Sequence, residues 1–196
     1  MFALCLHLGK LGVRVLLLHA AVYAVSTRDN KTSLFDTQTQ QRTQVLQASA
    51  CVYCYGIDAR GRAWIGTKGD GILIDGIKYS VWDKEHYAPT ANFYDVAFDK
   101  MGRAWLATWG DGLLCTRAND ANTGNLKFEP FMATNGKEAQ IHDLFLDKKG
   151  RLWACTNNGI AMVDTRERHI TEKKILRFNE ENEKLPVSEV DRKSVV

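Results

Sequence analysis

The sequence predicts an all-β chain made of repeated four-stranded antiparallel units, and three observations carry this prediction. A ten-residue motif recurs three times without gaps, and apolar runs of strand length alternate with glycine turns around it. No amphipathic helical stretch of convincing length lies between residues 50 and 178. The motif copies are 41 and then 48 residues apart, close to the period of a four-stranded propeller blade. We therefore expect β-propeller blades, about three full and one partial, as a fragment of a larger propeller.

The motif is D-x-x-G-R-x-W-x-x-T, and most of its positions have a structural use. Asp accepts hydrogen bonds from the backbone just after it, and Gly supplies the positive φ of a tight turn. Trp opens the next strand, where its large ring predicts packing between neighbouring sheets rather than ligand contact. The recurring arginines predict solvated or aspartate-paired positions. The positions assigned to the structural repeat are Asp58, Gly61, Trp64, Asp99, Gly102, Trp105, Asp147, Gly150 and Trp153.

Each full unit is expected to hold four strands. The first strand ends just before the motif aspartate and the second begins at the tryptophan. A second glycine turn leads to the third strand. The fourth strands are expected at 77–82, 127–131 and 174–178.

The chain divides into six predicted segments. The full blades are predicted at 51–91, 92–140 and 141–178, after a partial blade over 26–50. Residues 1–25 have two interpretations, a signal-like segment or degraded strands. Residues 179–196 are a polar tail or the start of a next blade, which would begin near 187–191. An incomplete propeller leaves sheet edges and faces uncovered, so we expect self-association.

Composition argues against several function classes. The net charge of +3 lacks the basic excess of a nucleic-acid binder, so no nucleic-acid partner is expected. Five cysteines are too few and too scattered for a disulfide scaffold. Cys51 and Cys54 have the C-x-x-C spacing, but residues three apart on a strand point to opposite faces, which disfavours a redox pair. The five histidines have no metal-ligand spacing, so neither a metal nor a cofactor is expected.

The motif followed at once by a glycine turn resembles the two-component regulator propeller repeat, over 50–178 and more weakly over 22–47. In that family such repeats build propellers in the extracytoplasmic sensor half of bacterial hybrid histidine kinases. The resemblance implies a periplasmic or extracytoplasmic location and sensing of a ligand, often an oligosaccharide. The resemblance also implies that this chain has no enzyme activity. It implies that the parent protein contains the missing blades and a membrane-bound histidine kinase. Two alternatives stay open: a propeller lyase resembling the streptogramin-lyase group, and a protein-interaction propeller.

Ligand binding is expected where the repeat is broken. In a propeller, the turn after the second strand and the link between units share one face, and Trp109 stands in that turn where the other units have Lys68 and Asn157. Exposed rings beside carboxylates and amides suit a sugar. The predicted ligand-binding residues are Trp109, Asp111, Asp70, Trp82, His86, Tyr87 and Asn157. An alternative places Trp82 in the core of a fourth strand.

Two further sets occupy equivalent repeat positions. Asp95 and Asp143 are expected to face water in the central channel, with Cys54 at the same position in the first unit. Tyr53, Tyr94 and His142 share the neighbouring position. No catalytic residue is predicted. An enzyme would need an acid–base pair, for which the adjacent Glu85 and His86 are the only hint.

Overall fold

The computed structural model describes residues 5–8, 13–19, 22–26, 31–36, 38–47, 50–117, 126–132 and 136–182. Within them the regular structure is β-strand, apart from single turns of 3-10 helix at Lys137–Ala139 and Glu172–Lys174. The strands form four antiparallel sheets, and within each sheet every strand pairs with the next one in sequence. This meander of hairpins agrees with the predicted fold class.

The first sheet has five strands, although residues 1–49 lack the repeated motif. Antiparallel backbone pairing does not require the motif side chains, and it joins these strands in a continuous ladder. Strands β1 and β2 and most of β3 lie within residues 1–25, for which a signal-like leader and degraded strands are both open, and that choice stays a prediction. The five strands are β1 (Cys5–Leu8), β2 (Val13–His19), β3 (Val22–Ser26), β4 (Lys31–Asp36) and β5 (Arg42–Gln47).

The three remaining sheets have four strands each and follow the repeat. The second sheet holds β6 (Cys51–Ile57), β7 (Ala63–Lys68), β8 (Ile72–Ile74) and β9 (Ile77–Tyr79). The third holds β10 (Phe93–Phe98), β11 (Ala104–Thr108), β12 (Leu113–Thr116) and β13 (Phe128–Pro130). The fourth holds β14 (Ile141–Leu146), β15 (Arg151–Thr156), β16 (Gly159–Asp164) and β17 (Leu176–Phe178).

The fourth strands are shorter than predicted. Strand β9 ends at Tyr79 because the next residue, Ser80, turns its backbone to the following loop. The Ser80 N–H donates to the carbonyl of His86, and the Ser80 carbonyl accepts from Ala88. Trp82 therefore lies outside the strand and is 70% exposed, so its alternative assignment to a fourth-strand core is wrong.

The hydrophobic core lies between the sheets. One cluster joins Trp64, Ile72 and Tyr79 of the second sheet to Phe93 and Leu106 of the third. A second cluster joins the third sheet to the fourth, with members Trp105, Leu113, Ile141, Leu152 and Val163. Trp64 and Trp105 are completely buried. The first strands of successive sheets contact one another, β6 with β10 and β10 with β14. The sheets are therefore consecutive propeller blades whose first strands lie side by side.

Candidate ligand-binding face

The aspartate of the repeated motif accepts hydrogen bonds from the backbone and side chains of its own motif. In the third sheet, one carboxylate oxygen of Asp99 accepts the backbone N–H groups of Met101 and Arg103. The other accepts Arg103 Nε at 2.6 Å and Trp105 Nε1 at 2.8 Å. The turn closes at Gly102, whose φ of 75° lies in the left-handed region that glycine adopts without strain.

The other two copies of the motif repeat these contacts. Asp58 and Asp147 each accept the arginine Nε and the tryptophan Nε1 of their own copy. Burial alone would raise the pKa of Asp147, but hydrogen bonds from Arg151 and Trp153 outweigh it and lower that pKa to about 2. The pKa of Asp58 is also lowered, because bonds from Trp64 and Arg62 outweigh the effect of burial. The motif thus has a structural use in each sheet.

The arginine of the third sheet also ties two sheets together. Arg103 donates to the backbone carbonyls of Thr165 at 2.5 Å and Glu167 at 3.1 Å, both in the loop that follows β16 of the fourth sheet. Arg103 is almost fully buried, so these bonds are shielded from water. These bonds lie at the end of the third sheet that carries the β10–β11 turn.

The candidate face is built on a β-bulge that recurs in every repeated sheet. The pairing register shifts between Val52 and Cys54, between Phe93 and Asp95, and between Ile141 and Asp143. The residues at the three bulges are Tyr53, Tyr94 and His142. A bulge changes the direction of a side chain, and bulges are over-represented beside functional sites. All three side chains are half-buried.

The bulge residues and Trp109 form a continuous series of rings across three sheets, which we call the aromatic row. Tyr53 and Tyr94 have ring centroids 4.4 Å apart, across the boundary between the second and third sheets. Tyr94 stacks on Trp109 at 5.2 Å with the planes 23° apart. Trp109 in turn meets His142 of the fourth sheet at 4.9 Å in an edge contact. Trp109 stays 37% exposed, so the row is open to solvent at its centre.

The turns that carry the row are fixed to the links between sheets. Gly69 and Gly71 both donate to the carbonyl of Ala91, which lies in the link to the third sheet. In the next unit, Gly110 and Gly112 donate in the same way to Ala139. The turn and the link therefore do lie on one face, as propeller geometry requires.

The two ends of the row differ chemically. At one end the ammonium group of Lys68 lies over the ring of Tyr53, 5.9 Å from its centroid. At the other end His142 Nε2 is hydrogen-bonded to the side-chain oxygen of Asn157, and the Asn157 amide donates to Gln140. The row thus has a cation at one end and neutral amides at the other.

The structure places the predicted residues of the turns at different distances from this row. Trp109 is its central ring, and Asn157 lies at its amide end. Asp111 lies two residues after Trp109 and is half-exposed, with its backbone N–H donating to the Thr108 hydroxyl. Asp70 is engaged in an ion pair with Lys78 at 2.5 Å.

The predicted residues of the link form a separate group. Trp82 and Tyr87 are 70% and 55% exposed, and no ring contact between either of them and the row occurs within the described residues. His86 packs edge-on against Tyr79, with ring centroids 5.1 Å apart. Asp83 holds this loop by accepting the backbone N–H groups of Glu85 and His86.

The sequence places Tyr53, Tyr94 and His142 at one repeat position, but the predicted binding residues do not include them. The signal was present, because three ring-bearing residues occupy one position beside Cys54, Asp95 and Asp143. The bulge that brings them against the second-strand turn is invisible in the sequence. Asp95 uses its carboxylate to accept the backbone N–H groups of Val96 and of Leu144 in the next sheet, a structural contact rather than a free channel position.

Within the described residues, no group of three or more metal-ligating side chains is close enough to hold an ion. No described helix is long and apolar enough to cross a membrane.

Comparison with known families identifies the repeat. Residues 135–158 match the family model of the two component regulator propeller. The chain carries a repeat of this family. The matched residues include Gln140, His142 and Asn157, so the repeat contains the amide end of the aromatic row. No curated protein matches the sequence.

Solved structures share the propeller repeat architecture. The extracellular domain of a hybrid two component system from B. thetaiotaomicron is similar with a TM-score of 0.63 and 23% identity, over 90% of this chain and 24% of that one. A second such domain from B. thetaiotaomicron gives a TM-score of 0.60 at 17% identity, over 81% and 23%. Virginiamycin B lyase from Staphylococcus aureus gives a TM-score of 0.62 at 18% identity, over 91% and 59%. These identities show a common fold, and the chain spans only part of each neighbour.

Proposed function

We propose that this chain is part of the ligand-sensing propeller of a bacterial two-component system. In this proposal the propeller lies outside the cytoplasm, binds an oligosaccharide on the aromatic row, and signals to a membrane-bound histidine kinase elsewhere in the parent protein. The single observation that carries the proposal is the aromatic row across three blades. The family repeat at 135–158 and the similarity to extracellular domains of hybrid two component systems support the sensory context.

The row suits a sugar because it combines ring surface with polar groups. The C–H face of a sugar ring packs on aromatic rings, and its hydroxyls need hydrogen-bond partners. Trp109 supplies exposed ring surface, and the Asn157 and Gln140 side chains supply amide groups beside it. The half-buried rings on either side of Trp109 restrict its motion, which lowers the ordering cost of binding.

The row also gives binding a route to a signal. Its members come from three successive blades, so one ligand contacts elements whose relative positions are set by the links between them. A ligand shifts a conformational equilibrium only by binding one arrangement better than another. A ligand that spans Tyr53, Trp109 and His142 would favour one relative arrangement of the three blades.

Glycan binding by the purified chain tests this proposal. Titration calorimetry against a panel of oligosaccharides should find a ligand, and Trp109→Ala should weaken its binding about tenfold or more, as expected for loss of a central aromatic contact. Ile77→Ala is the matched control, because Ile77 is also exposed but lies on the outer strand β9. Absence of binding across the panel, or equal affinity of Trp109→Ala and the unmodified chain, would contradict the proposal.

A propeller lyase is the second candidate, favoured by the similarity of fold to virginiamycin B lyase. An elimination needs an acid–base pair on the binding face. His86 Nδ1 lies 3.8 Å from Asp83 Oδ2, so the carboxylate facing His86 is Asp83 rather than Glu85. Incubation with a streptogramin B antibiotic, followed by mass spectrometry, decides between turnover and binding. Product formation that is lost in His86→Ala would favour the lyase.

A further inference from the structure

The cation at one end of the aromatic row has no counterion among the described residues. Lys68 is exposed, and its ammonium contacts the face of Tyr53. No ion pair of Lys68 occurs within the part of the chain that the structure describes. The carboxylate nearest in sequence, Asp70, is already paired with Lys78. Lys68 is therefore a positioned and uncompensated positive charge.

The position of Lys68 is set by its blade and not by a flexible loop. It is the last residue of β7 and forms an isolated β-bridge with Asn92 of the link to the next blade. A cation over an aromatic face is held by the ring quadrupole. The ammonium thus lies over Tyr53 at the end of the row, where a ligand lying on Tyr53 would meet it.

The rest of the row disfavours a second anionic group. Asp111 stands in the same turn as Trp109, at the centre of the row, and Asn157 and Gln140 at the far end are neutral. A ligand bound along the row therefore meets positive charge at the Lys68 end, a turn that contains an acidic residue at the centre and neutral amides at the other end. This order defines both the charge of the ligand and its direction.

We propose that the row selects a saccharide with an anionic substituent, a uronic acid carboxylate or a sulfate, and binds that substituent at Lys68. This inference rests on the proposed function and deepens it by naming the class of saccharide. The neutral sugar rings lie toward Trp109 and Asn157. Because the pair is partly exposed, its strength falls as salt screens the charges.

Paired probes test the inference. The chain is titrated with uronate oligosaccharides beside their carboxyl-reduced counterparts, and with sulfated oligosaccharides beside their desulfated counterparts. An acidic probe should bind about tenfold more tightly than its neutral counterpart, as expected for a charge-assisted hydrogen bond. The arm that shows the preference identifies carboxylate or sulfate as the group at Lys68.

Variants separate this inference from the proposed function. Lys68→Met should remove the preference and leave the neutral probe unchanged, and Lys68→Arg should retain it. Lys100→Met is the control, because Lys100 is exposed in a motif turn at the opposite end of the sheet. Equal binding of acidic and neutral probes, both weakened by Trp109→Ala, overturns the inference and leaves the proposed function standing. Failure of every probe to bind overturns both.

Discussion

The indole of Trp109 is stacked on the phenol ring of Tyr94, with centroids 5.2 Å apart and planes 23° apart. Tyr94 lies at the bulge of β10, and Trp109 follows the last residue of the paired strand β11. The stack orients the indole while 37% of Trp109 stays exposed. The ring that the proposed ligand would meet is thus already positioned, in a turn that is itself bonded to the link between blades.

Substitution should separate the packing tryptophan from the exposed one. Trp105→Ala removes a completely buried side chain and its hydrogen bond to Asp99, so it should lower the free energy of unfolding by about 3–5 kcal/mol. Trp109→Ala loses mainly one aromatic stack, so its cost should stay near 1 kcal/mol. Thermal and denaturant melts of both variants measure this. Equal destabilisation by the two substitutions would place Trp109 in the core.

Loss of the arginine that joins two blades should destabilise the chain strongly. Arg103→Met leaves the carboxylate of Asp99 buried without its ion-pair partner and removes two bonds to the β16–β17 loop of the fourth blade. We expect a loss of about 3–5 kcal/mol in unfolding free energy. Arg117→Met is the control, because Arg117 forms an exposed pair with Glu129 that should contribute less than about 1 kcal/mol. If Arg103→Met lowers the unfolding free energy no more than Arg117→Met does, Arg103 does not join the two blades energetically.

Acid should weaken the fold through Asp147, a motif aspartate whose pKa is lowered in the folded chain. The pKa of Asp147 falls from 3.8 to about 2 on folding, so the unfolded chain takes up this proton first as the pH drops. The stabilisation is complete above about pH 4 and is lost as the pH falls toward 2. Asp147→Asn should make the unfolding midpoint less dependent on pH in this window, as measured by melts at a series of pH values. An unchanged pH dependence in the variant would show that Asp147 contributes nothing to it.

The outer face of the fourth sheet should drive self-association. Gly56 leaves no room for a side chain, because a Cβ there would meet Val96 and Phe98 of the next sheet at 2.8 and 2.9 Å. Phe145 occupies the equivalent repeat position in the fourth sheet. Phe145 is 42% exposed, and Trp153 is only half-buried where its counterparts Trp64 and Trp105 are completely buried. Sedimentation velocity should therefore show oligomers that form with rising concentration.

Charge at this face should reverse the association. Phe145→Glu should shift the chain toward the monomer, because a carboxylate would have to be desolvated in the contact. Ile77→Glu, on the outer strand of the second sheet, is the matched control and should have a smaller effect. A chain that stays monomeric at micromolar concentration would rule out this prediction.

The sequence by itself determined the repeated β architecture. Its three motif copies specify the turns at Gly61, Gly102 and Gly150, and they place a tryptophan at the start of each second strand. These features are local, since turn chemistry and strand periodicity depend on neighbouring residues. Alignment of the three repeats also shows that Trp109 stands where the other two have Lys68 and Asn157. The sequence does not locate the ends of the fourth strands, because these depend on loop hydrogen bonds such as that from Ser80 to His86.

The tertiary structure alone decided which residues form the face. Tyr53, Tyr94 and His142 come from three different sheets, and they meet Lys68 and Trp109 because the same bulge recurs and neighbouring first strands lie side by side. Neither the bulge nor the distance between blades is encoded in any single stretch of residues. Packing between sheets sets both, and for that reason a row of rings that spans three blades appears only in the folded chain.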